Sequence, residues 1–410
     1  MPTAVFAFFG RITSPEIYPL LAQPTLYLSD LAIVWLLVVY GSRPKPMVET
    51  VSLADLLWLA LCVAGCLTTL TAQAPLFAVY TVLRWIIAFV VYRFLLHAPI
   101  RVQHLVSVFV VGLSVQAGIG IVQSMTQQRV GIPGESLFLY FDRATGMTFH
   151  PNVLAGYLVV GLILTLPLLQ RMRWWIVWWL LWVGVYVTGS RSAIMSVLLG
   201  MPLAVGWLLW YRPNLRRNLL IALVGAGIAI GATNTLLGTN AHRVEATFNV
   251  LIELDPSLST DDERSWLAQA PDWAKKVPGG WWRWQLFEVA FGIIVARPLN
   301  GIGAGNFPLA TVDVYAALDY PYPDNVHNVP LLLASEVGVW GGGVWLGLAL
   351  LGGWWLMFYW RADNIWLIVG LCAWLALVGE SMFEYYVWGL ETGRLLTMFV
   401  WAIIGRNLTA

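Results

Sequence analysis

Long apolar runs constrain the fold of this chain more than any other feature of its sequence. A helix needs about 20 apolar residues to cross the hydrocarbon of a bilayer, and runs near this length recur along the chain. We read eleven approximate spans, at residues 27–41, 52–72, 75–96, 103–125, 150–169, 173–188, 191–211, 217–236, 329–358, 364–383 and 393–405. The residues before Asp30 either add a short twelfth span or lie at the interface. The sequence therefore predicts an all-α integral membrane protein with about 11–12 transmembrane helices.

The composition agrees with this fold class and excludes several functions. Of the 410 residues, 59% are apolar and 11% are charged, whereas globular proteins have about 25% charged residues. A net charge of +1 gives no basic excess to neutralise phosphates, so we expect no nucleic-acid partner. The three cysteines lie in apolar runs, and no Cys/His cluster has the spacing of a metal site. We predict neither a metal nor another cofactor.

The distribution of Lys and Arg between short loops predicts the orientation of the chain, because such residues favour the cytoplasmic side. One set of loops holds eleven of them: Arg43, Lys45, Arg93, Arg101, Arg171, Arg173, Arg212, Arg216, Arg217, Arg361 and Arg406. The opposite short loops hold five: Arg11, Arg129, Arg143, Arg191 and Arg394. The first set is therefore assigned to the cytoplasm. We predict an N-terminal bundle (1–236), an outer loop region that carries part of the active site (237–328) and C-terminal helices (329–410), which together form a single integrated domain.

Four polar motifs fall on the predicted outer side. They are "RATGMTFHPN" (143–152), "TGSRS" (188–192), "GGWWRWQ" (279–285) and "DNVHN" (324–328). Chance would scatter such motifs over both sides of the membrane. Their common side predicts a functional site that faces outwards.

Arg191 follows a turn too short to be a loop, so it is predicted to begin a helix with Ser190 as the N-cap. A cation there opposes the helix dipole, which favours anions by about 0.3–1 kcal/mol. The placement is favourable if an anion lies between the guanidinium and the backbone N–H groups, since helix N-termini bind phosphate. The alternative is an arginine that reaches lipid headgroups.

Arg283 repeats this arrangement after Gly279 and Gly280, and "WQLFEVAFGIIVA" after it indicates a short helix that stops before Pro298. The outer loop is therefore expected to be partly helical. The alternative for Arg283 is an interfacial anchor helix, since tryptophans flank it and suit the headgroup level.

His327 and Asn328 open the ninth span. A helix N-terminus disfavours the imidazolium, so we expect His327 to tend towards the neutral form, which accepts a proton. A structural histidine is the alternative. Asn328 either orients the ring or caps the helix. Glu336 lies nine residues on, about half a turn out of phase, and is expected to pack elsewhere.

Three further residues are weaker candidates. His150 precedes a helix with proline in its first turn. It is a candidate base, and the alternative is a helix start that is capped by a neighbour. Arg143 is a third candidate for a phosphate ligand. Arg84 lies near the middle of a span, where its charge must face protein or water, and we expect it to pair with Asp55 or Glu380. The segment "GIGAGNF" (301–307) has no preceding strand and is predicted to be a tight turn.

The order of these motifs resembles the O-antigen ligase and O-antigen polymerase superfamily. The resemblance covers roughly residues 140–345 and rests on "RATGMTFHPN", "TGSRSA", "RW", "PLNGIGAGNF" and "HNVPLLLASEVGVWG". Its most specific part is the HN pair followed by E-x-G-x-x-G, with SR upstream. The resemblance implies a GT-C-type glycosyltransferase of about twelve membrane helices with a large outer loop. It also implies that Arg191 and Arg283 bind the substrate diphosphate and that His327 is the essential histidine.

The function that this resemblance implies is metal-independent, inverting transfer of a glycan from undecaprenyl diphosphate to a hydroxyl group. In a ligase, the acceptor is lipid A–core. In a polymerase, the acceptor is a second lipid-linked glycan. Motif spacing favours the ligase. The implied location is the bacterial inner membrane, with a periplasmic active site. A transporter or flippase of lipid-linked sugars is the alternative of another class, and it predicts inverted repeats and charges at mid-membrane.

Overall fold

The structure is a computed structural model that describes residues 4–7, 25–27, 51–126, 143–148, 150–237, 280–312, 324–361 and 363–408. The predicted first span at 27–41 lies outside the described residues, apart from residue 27. The parts of the predicted outer region at 238–279 and 313–323 also lie outside them.

Helices dominate the described residues, with one short antiparallel ladder between β1 (Ala4–Ala7) and β2 (Thr25–Tyr27). The helices are α1 (Leu53–Thr68), α2 (Pro75–His97), α3 (Val102–Thr126), α4 (Pro151–Thr165), α5 (Arg173–Thr188), α6 (Arg191–Tyr211), α7 (Arg216–Leu237), α8 (Gly280–Ala296), α9 (Phe307–Ala310), α10 (Val329–Val337), α11 (Val339–Tyr359), α12 (Ile365–Ser381), α13 (Tyr386–Gly389) and α14 (Glu391–Leu408). Short 3-10 turns follow α1 at Thr69–Thr71, follow α4 at Leu166–Gln170 and precede α7 at Pro213–Leu215.

The prediction of an all-α integral membrane protein is confirmed. Within the described residues, seven helical stretches are long and apolar enough to cross a membrane. They are Leu53–Thr71, Pro75–His97, Val102–Thr126, Pro151–Gln170, Arg191–Tyr211, Pro213–Thr235 and Val339–Tyr359. The predicted spans at 173–188 and 364–383 also form helices, of 16 and 17 residues. The total of 11–12 spans stays a prediction, because part of the chain lies outside the described residues.

The predicted ninth span at 329–358 is wrong as a single helix. The chain forms α10 and α11 instead, and they are separated by Gly338, whose φ is 86°. Two features exclude a side chain at this position. The positive φ is costly for L-residues, and a Cβ would lie 2.3 Å from the carbonyl oxygen of Leu299. Hydropathy continues across Gly338, so the apolar pattern gave no sign of the break.

Contacts divide the chain into two compact units. The first unit comprises Met1–Phe94, Phe248–Leu348 and Ser381–Leu395. The second unit comprises Leu95–Thr247, Ala349–Glu380 and Leu396–Ala410. Each unit is therefore built from segments far apart in sequence, and candidate site residues occur in both.

Buried tryptophans form the core of the first unit. Trp58 stacks on Trp388, with ring centroids 5.2 Å apart, and meets Trp345 edge-on at 6.1 Å. Trp85 completes the group at 5.4 Å from Trp388. All four side chains are at most 1% exposed. Aromatic pairs of this kind contribute beyond simple area burial, so they hold segments from three parts of the sequence together.

A second cluster lies close to the start of α10. It contains six buried residues: Leu286, Ala290, Phe307, Val326, Leu332 and Tyr385. They come from α8, α9, the segment before α10, α10 itself and the turn after α12. This packing fixes the first turns of α8 and α10 within one unit.

In the second unit, α4 is the central helix. Nearly all of it is buried, and it packs against α3, α5 and α6. Small residues permit close approach: a Cβ on Gly184 of α5 would lie 2.8 Å from the Ala117 Cβ of α3. The start of α6, which carries Arg191, is thus part of a densely packed bundle.

Candidate functional site

His327 lies immediately before α10, and Asn328 fixes the start of that helix. The Oδ1 of Asn328 accepts a hydrogen bond from the N–H of Leu331 at 2.9 Å, and its Nδ2 donates to the carbonyl of Met382 at 3.1 Å. Pro330 occupies the first turn, where its missing N–H costs nothing. Of the two expected roles of Asn328, the structure shows the cap, which anchors the histidine segment to the turn after α12.

Both ring nitrogens of His327 face carboxylates. Nδ1 lies 3.3 Å from Oε2 of Glu384, and Nε2 lies 3.1 Å from Oδ2 of Asp324. The His327 and Glu384 side chains are 7% and 4% exposed, whereas that of Asp324 is 29% exposed. The imidazole is therefore held on a buried side by Glu384 and on an accessible side by Asp324.

Arg283 binds the same glutamate. Its NH2 lies 3.0 Å from Oε1 of Glu384, and its NH1 donates to the carbonyl of Phe383 at 3.1 Å. Arg283 is in the first turn of α8, as predicted, and its side chain is 30% exposed. The structure thus brings Arg283 and His327, two residues predicted to share a site, onto opposite oxygens of one carboxylate.

Sequence reasoning missed Glu384, Asp324 and Tyr385. The Tyr385 ring packs edge-on against His327, with centroids 5.2 Å apart, and its side chain hydrogen bonds to Asp324. Glu384 lies 57 residues from His327 in sequence. A signal existed, since Glu384 is an acidic residue that directly follows an apolar span. Asp324 was part of the quoted motif but was given no role.

The prediction that His327 tends towards the neutral form is wrong in direction. Burial lowers the pKa of His327, and the charge of Arg283 lowers it further. The charge and hydrogen bonds of Glu384 and Asp324 outweigh both effects, so the pKa lies above its usual value. The two carboxylates override the influence of the helix N-terminus on which the prediction rested.

Asp324 responds in the complementary way. Burial disfavours its carboxylate, but the hydrogen bond and charge of His327, with the hydrogen bond of Tyr385, outweigh this effect and hold the pKa of Asp324 below its usual value. His327 and Asp324 therefore each stabilise the charged form of the other.

Glu336 packs elsewhere in the first unit, as its helical phase predicted. Its Oε1 accepts a hydrogen bond from the N–H of Phe307 at 3.2 Å, at the end of the glycine-rich segment 301–307. The predicted tight turn there is confirmed, with positive φ at Gly301, Gly303 and Gly305. Burial raises the pKa of Glu336 to about 7. Its contacts give it a packing role at the far end of α10.

Arg191 lies in the second unit and begins α6, as predicted. Ser190 is the N-cap: its Oγ accepts a hydrogen bond from the N–H of Ala193 at 3.4 Å. One turn below, the buried carboxylate of Glu380 accepts hydrogen bonds from the hydroxyls of Ser192 at 2.9 Å and Ser196 at 2.6 Å. The first two turns of α6 thus carry Arg191 and two hydroxyl groups that bind a buried carboxylate.

Arg143 and His150 also lie in the second unit and organise the start of α4. The Nε of Arg143 donates to the carbonyl of Thr188 at 2.7 Å, and its NH2 donates to Oδ1 of Asn152 at 2.5 Å. His150 is itself the N-cap, with Nδ1 accepting from the N–H of Asn152 at 3.1 Å, so the alternative prediction of a neighbour as the cap is wrong. The role of Arg143 as a phosphate ligand stays a prediction.

The predicted partners of Arg84 are wrong. Its Nε lies 3.2 Å from Oε2 of Glu391, which also binds NH2 of Arg394 at 3.0 Å. Asp55 pairs instead with Arg93, at 3.0 Å. The prediction of an ion pair for Arg84 is nevertheless confirmed, and the side chains of Arg84 and Glu391 are 6% and 4% exposed.

In the described part of the chain, no group of three or more His, Cys, Asp or Glu residues is arranged to hold an ion. The charged groups next to His327 are instead bound to one another and to Arg283.

Residues 176–346, which include Arg191, Arg283, His327 and Glu336, match the family model described as O-Antigen ligase. No curated protein matches the chain. The family supports an O-antigen ligase or polymerase type of function, with lipid-linked glycans as the general class of substrate. This match supports the O-antigen ligase and polymerase superfamily, which is the resemblance that the sequence motifs indicated.

Proposed function

We propose that this protein is a ligase-type glycosyltransferase of the GT-C class. It transfers a glycan from undecaprenyl diphosphate to a hydroxyl of lipid A–core. The reaction takes place at the periplasmic side of the bacterial inner membrane, without a metal ion. The proposal rests on the family of residues 176–346 and on the contacts around His327.

The observation that carries the proposal is the pairing of Arg283 and His327 on Glu384. A guanidinium with a 30% exposed side chain suits an anionic oxygen, and arginine binds phosphate groups with good geometry. The imidazole of His327 is held on the same carboxylate, so a proton acceptor lies close to the place where Arg283 would bind the diphosphate. Transfer from a diphosphate to a hydroxyl needs both functions.

The proposed reaction is a single displacement. The acceptor hydroxyl oxygen attacks the anomeric carbon, the bond from that carbon to the diphosphate breaks, and undecaprenyl diphosphate leaves with the bonding electrons. His327 takes the hydroxyl proton. Arg283 and Arg191, with Arg143 as a third candidate ligand, stabilise the charge that develops on the leaving group. Attack from the opposite face inverts the anomeric configuration.

The orientation of His327 determines which nitrogen accepts the proton. Glu384 is the more buried of its two carboxylate partners, so it holds Nδ1–H, and Nε2 is the accepting atom in the neutral ring. Asp324 occupies the position opposite Nε2 and is the more exposed partner. The acceptor hydroxyl is therefore proposed to arrive from the side of Asp324 and to replace it.

Turnover in the presence of EDTA tests this proposal. Purified protein is supplied with lipid A–core and with the lipid-linked glycan extracted from a native host that lacks the gene. We expect full turnover, because arginines take the place of a metal. A loss of turnover that Mg²⁺ restores would remove the arginine-based mechanism.

We expect the Arg191→Lys variant to turn over more slowly than the wild-type enzyme, since lysine keeps the positive charge but lacks the bidentate geometry of arginine.

The polymerase remains the second candidate, because the family supports both reactions. Gel analysis of glycans from a strain that lacks the gene distinguishes them. In the case of a ligase, long lipid-linked chains accumulate and lipid A–core stays uncapped. Accumulation of single lipid-linked repeats would assign the polymerase instead.

A further inference from the structure

We propose that Glu384 is a positioning residue that couples the diphosphate-binding arginine to the proton-accepting histidine. This inference rests on the proposed function. It adds a residue that lies outside both the predicted site and the family match at residues 176–346.

The contacts of Glu384 show a two-sided role. Oε1 binds NH2 of Arg283 at 3.0 Å, and Oε2 lies 3.3 Å from Nδ1 of His327. With a side chain only 4% exposed, the carboxylate has exchanged water for these two partners. A buried carboxylate that loses a cationic partner keeps an uncompensated charge, so each contact supports the other.

The turn that carries Glu384 is itself held in place. Its neighbour Met382 accepts a hydrogen bond from Nδ2 of Asn328 at 3.1 Å. The Ser381 Oγ accepts a hydrogen bond from Nε1 of Trp345 at 3.1 Å. The Phe383 carbonyl accepts the second contact of Arg283. Glu384 therefore has little freedom to follow either partner, and its partners must adapt to it.

Two consequences follow for the reaction. The Nδ1 contact selects the tautomer of neutral His327 in which Nδ1 carries the hydrogen, as carboxylates do for other catalytic histidines. Arg283 contacts Glu384 through one terminal nitrogen, NH2, and this contact fixes the orientation of the whole guanidinium. A change at Glu384 is thus expected to affect proton transfer and the leaving group together.

Among the described residues, the charged and titratable groups shown to face His327 are Arg283 on α8, Glu384 and Tyr385 on the turn after α12, and Asp324 on its own segment. The negative charge of Glu384 favours the imidazolium. Glu384→Gln removes that charge but nearly keeps the shape. It should therefore move the acid limb of the activity profile to lower pH, because His327 loses its proton more easily.

The experiment compares kcat, KM and pH profiles of Glu384→Gln and Glu384→Asp with those of the wild-type enzyme, using the same extracted donor and lipid A–core. We expect kcat to fall about 10-fold or more in both variants, within the range of general acid–base effects. Only the glutamine variant should also move the acid limb, by about one pH unit. Glu288→Gln is the matched control, because Glu288 is exposed and binds only Trp284 Nε1 among its described hydrogen bonds.

A purely structural role would lower the yield or Tm of folded enzyme and leave its pH profile and kcat unchanged, and that result would overturn the inference. If Glu384→Gln does not fold, Glu384→Asp decides alone: wild-type kcat in that variant refutes positioning. Failure of the proposed function is separate, since it shows as absent wild-type turnover or as an active His327→Ala variant.

Discussion

Two glutamates of the first unit, Glu384 and Glu391, lie seven residues apart, and each binds two cationic side chains. Glu391 joins Arg84 at 3.2 Å to Arg394 at 3.0 Å. Glu384 joins Arg283 at 3.0 Å to His327 at 3.3 Å. The two arrangements share chemistry, burial of the carboxylate and a place in the same stretch of chain.

They differ in what surrounds the cations. Around Glu391 the side chains of both arginines are at most 7% exposed, and Arg394 also donates to the carbonyls of Trp388 and Gly389. Around Glu384 one cation is 30% exposed, and the other is a histidine whose second nitrogen faces an accessible carboxylate. A buried cluster of permanent charges has no exposed cation to offer a substrate, whereas a partly exposed cluster with a titratable member can bind and react.

The largest expected effect comes from removing His327, the titratable partner of Glu384. His327→Ala is expected to lower turnover per folded molecule by about 10² to 10⁴-fold, the range of a lost general base. The measurement is initial rate on purified enzyme with extracted donor. His104→Ala is the control, because His104 is exposed. A variant at His327 that keeps the wild-type rate would end its assignment as the proton acceptor.

The buried cluster around Glu391 should respond in the opposite way. Arg84→Met leaves Glu391 with one of its two arginines, and we expect a loss of about 3 kcal/mol in the free energy of unfolding. Activity per folded molecule should stay near the wild-type value. Thermal unfolding in detergent measures the first quantity and initial rates the second. The exposed Arg297→Met serves as the matched control. A selective loss of activity with unchanged Tm would contradict the structural role of Arg84.

The smallest expected effect is a change in the pKa of His327 when its second carboxylate partner, Asp324, is replaced. Because its hydrogen bond raises the pKa of His327, Asp324→Asn should lower that pKa. Activity that requires neutral His327 rises with pH through this pKa. The acid limb of the variant should therefore lie at lower pH, by about half to one unit. The pH dependence of kcat/KM measures it. An unmoved limb would show that Asp324 does not face His327 in the working enzyme.

The elements that the sequence predicted well are those encoded locally. Apolar runs located most of the described helices. Ser190 was predicted as a cap, and capping was one of the two roles predicted for Asn328, because N-capping depends on neighbours within three residues. Arg283 and His327, the two partners of Glu384, were predicted as candidates for the same reason, since each lies at the start of a helix.

The elements that it did not predict depend on distant contacts or on the backbone. Glu384 approaches His327 only because the turn after α12 folds against α10. Glu391, the partner of Arg84, is 307 residues away. The apolar pattern gave no basis for choosing it over Asp55 or Glu380. The break at Gly338 is a matter of φ, which an apolar pattern does not record.

That break makes α10 a spacer of fixed length. Its first residue is tied through Asn328 to the turn that carries Glu384. Its other end is locked, because Gly338 lies against Leu299 and the N–H of Val339 donates to the Pro298 carbonyl at 2.8 Å. Inserting or deleting one residue between these anchors shifts the helix by about 1.5 Å and turns it by about 100°. Substitutions along α10 leave this spacing intact, whereas a single change in its length separates the imidazole from its carboxylate.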